Sequence, residues 1–567
     1  MLAVAVCAPK DGEYTFKVLT TNDVHGHYFD SEYVGDGVRN SLVNASWYID
    51  SVRVASGKDN VILIDVGDFL QGENAAYYYN YVDTVSRHLH ARMSEYMGYD
   101  AVIVGNHDIE TGHGVYDRIR KQMSMPFLAA NAIRTDDGRP YFQEYAILRR
   151  HGLKIALIGF TNPGIPGWLS PELWEGMEFR ELIPYAQEVV DRVRREEKPD
   201  VVVVAVHGGA GKLENGNIEN PGMALFATLT GVDLLLCAHD HRQVVHDADS
   251  IAMVNAGSHC RYIGQGIVNL TVKDGKVVAK SSDASLIPVR ADRNDPQMKA
   301  AFDPDFQTVK AFTLREVGEL KLPLHTIDAY KGMSDYINFI HTLCLEASGA
   351  QVSFAAPLTY DGSVKEGTLI YNDLFTIYPY ENQLFVLNMT GREIKDYLEY
   401  SYESWIYTYD RNRPHLLKIK PGTDFRTGQK GWSFAARSYN FDSAAGINYE
   451  VDVTKPFGSR VKIYSMADGA AFDESQTYSV AMTSYRANGG GALLKEGSGI
   501  DSDELSQRIT ARHPEIREML YEFILEHGTV DAELIGNEAL IGKWKFVPED
   551  IAEKALSADI KLMFGDR

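Results

Sequence analysis

Five short apolar segments in the first half of the chain each lead into a residue that can bind a metal ion. Their Val, Ile and Leu content is typical of parallel strands that are buried on both faces. The segments and their last residues are VLTTND at Asp23, VILIDVGD at Asp68, AVIVGN at Asn106, VVVVAVH at His207 and DLLLCAH at His239. Ligand sites in such sheets form outside the carboxyl ends of the strands, so the recurrence predicts one site assembled from five places.

Two of the five strand ends carry a second candidate ligand two positions further on. Asp23 is followed by His25, and His239 is followed by His241. Residues i and i+2 of an extended chain point to the same side, so each pair is expected to reach one metal cluster. His88 and His90 share this spacing but fall in a predicted helix, where such residues diverge. We interpret those two as packing or surface residues.

The candidate ligands are carboxylates, imidazoles and one amide, without a thiolate. This set suits manganese, iron or zinc in an oxygen and nitrogen site and not a structural zinc finger. Seven candidates exceed the needs of one tetrahedral ion, and the set therefore predicts two divalent ions that share a bridging carboxylate. A pair of ions about 3.5–4 Å apart activates water and clamps a transferring phosphoryl group.

Charge and hydropathy limit the partners of this protein. There are 78 Asp and Glu residues against 56 Lys and Arg residues, a formal net charge of −22, which repels a nucleic-acid polymer. No segment approaches the roughly 20 apolar residues of a transmembrane helix. The four cysteines show no CxxC spacing, which argues against a zinc ribbon or a disulfide scaffold. A small anion can still bind where the metal ions supply positive charge. We expect the protein to be a monomer.

The length of the chain predicts two domains, because a single core stops growing at roughly 250–300 residues and the chain has 567. We expect an α/β domain at 14–289, a charged connector at 290–327, a second α/β or α+β domain at 328–545 and a tail at 546–567. Residues 1–13 begin with an apolar stretch that is either the remnant of an export signal or an ordinary frayed terminus.

Five motifs in fixed order resemble those of the calcineurin-like metallophosphoesterases. They are Asp23-x-His25, Gly67-Asp68, Gly105-Asn106-His107-Asp108, His207-Gly208 and His239-x-His241. More narrowly, the chain resembles the two-domain bacterial 5′-nucleotidases and 2′,3′-cyclic-nucleotide 2′-phosphodiesterase/3′-nucleotidases over nearly its whole length. The resemblance implies an N-terminal β-sandwich flanked by helices and a C-terminal α/β substrate-binding domain, joined by a helical connector.

The resemblance also implies roles for the individual residues of the first domain. The ligands of one ion would be Asp23, His25 and His241, those of the other Asn106, His207 and His239, and Asp68 would bridge the two. His107 would face the substrate phosphate as an acid, and Asn106 would also contact the substrate. An aspartate three residues after that histidine orients it in the 5′-nucleotidases, but this chain has Glu110 there. Either Glu110 or Asp108 is expected to take the orienting role.

Two strings in the second domain are expected to bind the nucleobase. The family holds the base between two aromatic rings, and the matching strings Ser438–Asp442 (SYNFD) and Ser484–Gly491 (SYRANGGG) map those rings onto Phe441 and Tyr485. Gly489 and Gly490 would let the backbone approach the ligand or bind an anion, although a flexible turn explains them as well.

These observations predict a nucleotide phosphoesterase that uses a metal-bound hydroxide, exported to a periplasm or a cell surface. We favour the 2′,3′-cyclic phosphodiesterase/3′-nucleotidase branch over a 5′-nucleotidase or UDP-sugar hydrolase. The glycine-rich stretch before the interior strand carries nucleoside-binding arginines in the 5′-nucleotidases, and here it reads AAPLTYDG at 355–362, without arginine. An inactive nucleotide-binding receptor is the non-enzyme alternative, and the retention of all seven ligands and His107 argues against it.

Overall fold

The computed structural model describes residues 8–213, 218–248, 251–423 and 430–565. The chain forms two compact units, residues 1–313 and residues 314–567. Within the described ranges, every helix is too short or too polar to span a bilayer. Residues 1–7 of the expected export-signal remnant lie outside the described residues, and the first strand begins at Gly12.

The first unit contains two six-stranded sheets. In spatial order the first sheet consists of Lys276–Pro288, Tyr262–Lys273, Gly12–Thr21, Val61–Asp65, Ala101–Ile103 and Phe127–Leu128. The second consists of Gln243–Ala248, Ile251–Ala256, Leu234–Cys237, Val201–Val206, Leu153–Phe160 and Tyr145–Arg150. Ala132–Arg134 and Met177–Phe179 form a separate two-stranded pair.

The two sheets face each other across a shared apolar core. Phe16 and Ile62 of the first sheet pack with Ile155 and Val203 of the second. The middle strands of both sheets run parallel and are buried along their whole length, which explains their unbroken β-branched sequences. This arrangement is the predicted β-sandwich.

Helices cover the outer faces of the sandwich. They are Leu42–Ser56, Asn74–Tyr77, Leu89–Met97, Asn106–Glu110, His113–Gln122, Leu182–Glu197, Gly222–Thr228 and Pro296–Thr313. Leu182–Glu197 buries Val189 and Val193 against the second sheet. Leu42–Ser56 is capped by Ser41, whose side chain accepts a hydrogen bond from the N–H of Asn44. Short 3₁₀ or π turns span Lys58–Asn60, Tyr78–Val82, Ile165–Gly167 and Pro171–Trp174.

The expected connector at 290–327 divides between the two units. Helix Pro296–Thr313 packs Met298 and Val309 into the core of the first unit. Strand Glu316–Leu320 belongs to a sheet of the second unit. The helical part of the connector is therefore an integral element of the first unit.

The second unit is built around a five-stranded sheet. Its spatial order is Ser443–Ala445, Val352–Ala355, Thr477–Thr483, Gln383–Thr390 and Ile509–Glu515. Two three-stranded sheets contain Gly367–Ile370, Glu316–Leu320 and Thr529–Val530, and Val461–Met466, Ile447–Asp452 and Trp544–Val547. Two further pairs join Leu324–His325 to Ser363–Val364 and Ile419–Thr423 to Lys430–Phe434.

Ten α-helices of the described residues accompany these sheets. They are Thr326–Ala329, Asp335–Ser348, Tyr371–Ile377, Gly391–Trp405, Ser484–Ala487, Ser502–Arg508, Ile516–His527, Ala532–Ile535, Glu538–Ile541 and Glu549–Phe564. Short 3₁₀ or π turns span Ser438–Asn440, Gly490–Ala492 and Leu493–Gly497. The last helix differs from the expected tail at 546–567, because Leu556 and Phe564 bury their side chains in the core of this unit. The tail sequence is an amphipathic helix that completes the domain.

Candidate active site

The predicted metal ligands lie on sharp turns directly after the parallel strands. Five of the seven have a backbone in the left-handed region, where residues other than glycine are rare. These are Asp23 (φ 45°), His25 (φ 47°), Asp68 (φ 58°), His239 (φ 73°) and His241 (φ 56°). The expected extended geometry of the two spaced pairs is therefore wrong, and left-handed turns bring the side chains together instead. Such strain typically accumulates where a site needs a fixed geometry.

Backbone hydrogen bonds tie these turns to one another. The N–H of Asp23 donates to the carbonyl of Gly67 at 3.0 Å, and the N–H of His25 donates to the carbonyl of Asp68 at 2.9 Å. The N–H of His239 donates to the carboxylate of Asp23 at 3.0 Å. Gly105 is required because a Cβ there would lie 2.1 Å from Oδ1 of Asp68. The ligand positions are thus set by the fold itself.

Six of the predicted ligands fall into two groups. In each group the potential ligand atoms lie within 4.8 Å of one another; the groups are Asp23, His25 and His241, and Asp68, His207 and His239. The amide Asn106 joins the second group, since its Oδ1 lies 2.8 Å from Nδ1 of His239. The spaced pair His239 and His241 divides between the two groups. His88 and His90 are buried in the first unit and belong to neither group.

The donor atoms fit a metal ion. Nδ1 of His207 donates to the carbonyl of Val66 at 2.7 Å, so the lone pair of a neutral ring lies on Nε2. That Nε2 is 3.0 Å from Oδ2 of Asp68. Two acceptors at this distance need a cation between them. His25 repeats the pattern, with Nδ1 bonded to Gln71 and Nε2 lying 3.0 Å from Nε2 of His241.

The pKa values of these groups also indicate that the site favours a bound positive charge. Burial lowers the pKa of His207, but the neighbouring carboxylates of Asp68 and Asp23 outweigh it and raise the pKa to about 9. Burial alone would raise the pKa of Asp68, yet His207 and nearby imidazoles hold it well below its ordinary value. Burial raises the pKa of Asp23. A proton on His207 occupies the place that a metal ion would take.

His107 and Glu110 form a side-chain pair beside the ligand groups. Nδ1 of His107 contacts the carboxylate of Glu110, and the backbone N–H of His107 donates to Oδ1 of Asp68 at 2.8 Å. Asp108 instead accepts backbone N–H groups, including those of Gly105 at 2.8 Å and Asp68 at 3.0 Å. Glu110 is therefore placed to orient His107, while Asp108 fixes the turn that carries Asp68.

Three residues around the ligands could not be identified from the sequence alone. Glu219 contacts Nε2 of His239 at 3.1 Å, Gln71 bonds to His25, and the indole of Trp168 stacks on His239 at 5.4 Å and 16°. They come from three separate loops, so their positions follow only from the tertiary structure. Residues that orient ligating histidines in this way commonly tune a metal site.

Phe441 cannot clamp a base as the resemblance implied. Its side chain is fully buried, stacked on Trp405 at 5.5 Å and 7° and edge-on to Phe434 at 5.2 Å. The half-buried ring in the same string is Tyr439, two residues earlier, whose centroid lies 6.4 Å from that of Tyr485. Tyr439 and Tyr485 are therefore the half-buried rings that the two strings bring together, and Phe441 is a core residue.

One arginine joins the two strings that carry these tyrosines. Arg486 is buried, and its guanidinium forms an ion pair with Asp442 at 2.9 and 3.0 Å. It also donates to the carbonyls of Tyr439 and Gly490, both at 2.7 Å, and to Oδ1 of Asn440 at 3.1 Å. All five N–H groups are therefore used within the two strings.

The glycine run has a packing role in this structure. A Cβ at Gly490 would lie 2.5 Å from the ring of Tyr485, and one at Gly491 would lie 2.3 Å from the guanidinium of Arg486. Gly489 takes the left-handed conformation, with φ 97°. These glycines let the second string fold tightly around the arginine.

Comparison with known proteins covers both units. Residues 16–243 match the family model described as calcineurin-like phosphoesterase, and residues 316–496 match that of the 5′-nucleotidase C-terminal domain. A 2′,3′-cyclic-nucleotide 2′-phosphodiesterase/3′-nucleotidase of Haemophilus influenzae is 24% identical, over 94% of this chain and 87% of that protein. A 5′-nucleotidase of Vibrio parahaemolyticus is 25% identical, over 68% of this chain and 75% of that protein.

A solved structure shares the fold over most of this chain. A putative 5′-nucleotidase of Staphylococcus aureus superposes with a TM-score of 0.76 at 23% identity, covering 94% of this chain and 100% of that one. Both sequence halves and the architecture thus point to the same group of proteins.

Proposed function

This chain belongs to the calcineurin-like phosphoesterases that carry a 5′-nucleotidase C-terminal domain, metal-dependent hydrolases of phosphoric esters, and we propose that it is a 2′,3′-cyclic-nucleotide 2′-phosphodiesterase/3′-nucleotidase with two divalent ions. The observation that carries the proposal is the pair of ligand groups that share one end of the sandwich. Asp23, His25 and His241 would hold one ion, Asn106, His207 and His239 the other, and Asp68 would lie between them.

The residues of this chain would have separate roles in the reaction and in substrate binding. Divalent ions supply positive charge for the phosphoryl oxygens and acidify water. His107 would donate a hydrogen bond or proton to the phosphoryl group, and Glu110 would keep its ring in place through Nδ1. Tyr439 and Tyr485 would receive the base, because stacking on aromatic rings tolerates any base.

The preference for cyclic and 3′ esters rests on the second domain. Residues 355–362 contain no arginine that could bind a 5′-nucleotide. Threonine or tyrosine does not replace the bidentate hydrogen bonds of a guanidinium group. The string Tyr439–Asp442 also supports the cyclic branch. The 24% identity to a protein of that activity spans both domains.

A hydrolysis panel tests the proposal. We expect 2′,3′-cyclic AMP and 3′-AMP to be cleaved with higher kcat/KM than 5′-AMP, and activity to disappear on chelation and return with manganese or zinc. A tenfold preference for 5′-AMP would assign the chain to the 5′-nucleotidases instead. Full activity in protein shown by elemental analysis to be metal-free would contradict the metal mechanism itself.

Export to a periplasm or cell surface is part of the same proposal, because external nucleotides are a source of nucleoside. The apolar sequence of residues 1–9 supports it. Fractionation of cells that express the full-length precursor would find the protein outside the cytoplasm. Cytoplasmic protein with an uncut N-terminus would contradict export.

A further inference from the structure

A half-buried arginine without a carboxylate partner lies near the candidate metal ligands. Among the described residues, Arg261 forms no ion pair, although the chain has 78 acidic residues. Burial lowers its pKa, and Tyr262 is the one group that opposes this shift. Withdrawing a charge from water without a partner costs free energy, so a half-buried unpaired guanidinium is a favourable place for an anion from outside the chain.

His259 links this arginine to the site. Nη2 of Arg261 lies 3.0 Å from Nδ1 of His259, and the hydroxyl of Ser258 lies 2.8 Å from the same nitrogen. A guanidinium only donates, so Nδ1 accepts and the proton of the neutral imidazole lies on Nε2. The two side chains together offer N–H donors and a positive charge.

The ring of His259 packs against the candidate ligands. Its centroid lies 5.5 Å from that of His25 and 5.7 Å from that of His241. The backbone fixes this position, because the N–H of His259 donates to the carbonyl of Asp23 at 2.9 Å. His259 and Cys260 both take the left-handed conformation, with φ 59° and 52°, so the loop is held in a strained shape.

The carboxylate that contacts the neighbouring His27 is already paired with an arginine. Glu73 lies 3.3 Å from Nε2 of His27 and 2.7 Å from the guanidinium of Arg39. His27 in turn packs on His259, with ring centroids 4.5 Å apart. Among the described residues, the charge of Arg261 therefore lacks a carboxylate partner, and it lies against His259, whose ring packs on His25 and His241.

We propose that Arg261 and His259 form an anion subsite for the second, non-scissile phosphoryl group of a diphosphate. The inference rests on the proposed function, since it requires the phosphoryl group that is hydrolysed to lie at the ligand groups. Arginine suits the role because its planar fork binds two phosphoryl oxygens at once. The Nε2–H of His259 would supply a further donor.

Inhibition by small anions tests the subsite. The probes are pyrophosphate, which would fill both positions, and orthophosphate, which would fill one, against hydrolysis of p-nitrophenyl phosphate. We expect Arg261→Gln to raise the inhibition constant of pyrophosphate at least tenfold and that of orthophosphate less than twofold. Arg290→Gln is the matched control, because Arg290 is exposed and paired with Asp292 at 2.6 Å. The control also accounts for chelation of metal by pyrophosphate in solution.

Two results would overturn the subsite. One is an unchanged constant for pyrophosphate in Arg261→Gln, and the other is an equal rise for both anions, which would place Arg261 on the scissile group. If that variant does not fold, Arg261→Lys decides, with a pyrophosphate-specific rise of about threefold expected and no rise contradicting the proposal. Absence of metal-dependent hydrolysis in the wild type would instead contradict the proposed function, and calorimetry with pyrophosphate would then measure the subsite separately.

Discussion

The two functional regions of this molecule are held together by different means. In the first unit, seven candidate ligands lie on turns after parallel strands, and backbone hydrogen bonds such as Asp23 to Gly67 tie those turns together. In the second unit, two strings far apart in sequence are joined by the guanidinium of Arg486. The geometry of the first region therefore depends on many separate hydrogen bonds, whereas that of the second depends on one buried ion pair.

This difference predicts different responses to substitution. Loss of a ligand in the first region should remove chemistry and metal while the sandwich stays folded. Loss of the ion pair in the second region should affect stability and base binding together, and leave the metal centre intact.

The largest effect is expected at Asp68, the candidate bridge. Asp68→Ala should lose metal and reduce turnover by about 10³-fold or more, because two cations without a shared carboxylate repel each other. Elemental analysis and kcat measure this. The exposed Asp283→Ala serves as the control and should keep both metal and activity. Retention of two ions and wild-type turnover in Asp68→Ala would show that Asp68 is not the bridge.

His107→Ala should keep its metal and lose about 10²–10⁴-fold in kcat, the range for a positioned acid or base. Glu110→Gln should cost less, because Glu110 acts through the imidazole that it contacts. Metal content and kcat of both variants separate the roles. Loss of metal in His107→Ala would make His107 a ligand, and equal losses in the two variants would give Glu110 a direct role.

Breaking the ion pair of the second unit should destabilise that unit. Arg486→Met leaves the buried carboxylate of Asp442 without its cation and with the Tyr397 hydroxyl as its side-chain donor, which costs about 3–5 kcal/mol. The double variant Arg486→Met/Asp442→Leu should regain much of this stability but keep a raised KM for nucleotides, since the two strings are no longer joined. Denaturation and kinetics measure the two effects. Recovery of a wild-type KM in the double variant would contradict a positioning role.

The smallest effect is expected for a single ring of the second unit. Tyr485→Ala should raise KM for nucleotides by about 5–150-fold, since stacking contributes about 1–3 kcal/mol per base. Hydrolysis of glycerol phosphate, which has no ring, should stay unchanged. Tyr464→Ala, an exposed tyrosine of the same unit, is the matched control. An equal loss for both substrates would mean that Tyr485 does not bind the base.

The sequence by itself determined the two-domain α/β architecture, the sandwich and the residues that lie together at its edge. It could do so because parallel buried strands leave continuous apolar segments, and each segment ends at the same edge of a sheet. Asp23, Asp68 and His207 were therefore identifiable from their positions alone. Each is fixed by the local chain that carries it.

Only the tertiary structure decided how those residues are used and what surrounds them. The left-handed turns at Asp23 and His239 depend on contacts between distant turns, such as the hydrogen bond from the N–H of His239 to the carboxylate of Asp23. Burial places Phe441 in the core and leaves Tyr439 as the half-buried ring of that string. The sequence could not show this, because an aromatic residue reads the same whether it faces the core or the solvent. The sequence could not show that Arg261 lacks a carboxylate partner, because ion pairs between distant residues depend on tertiary packing.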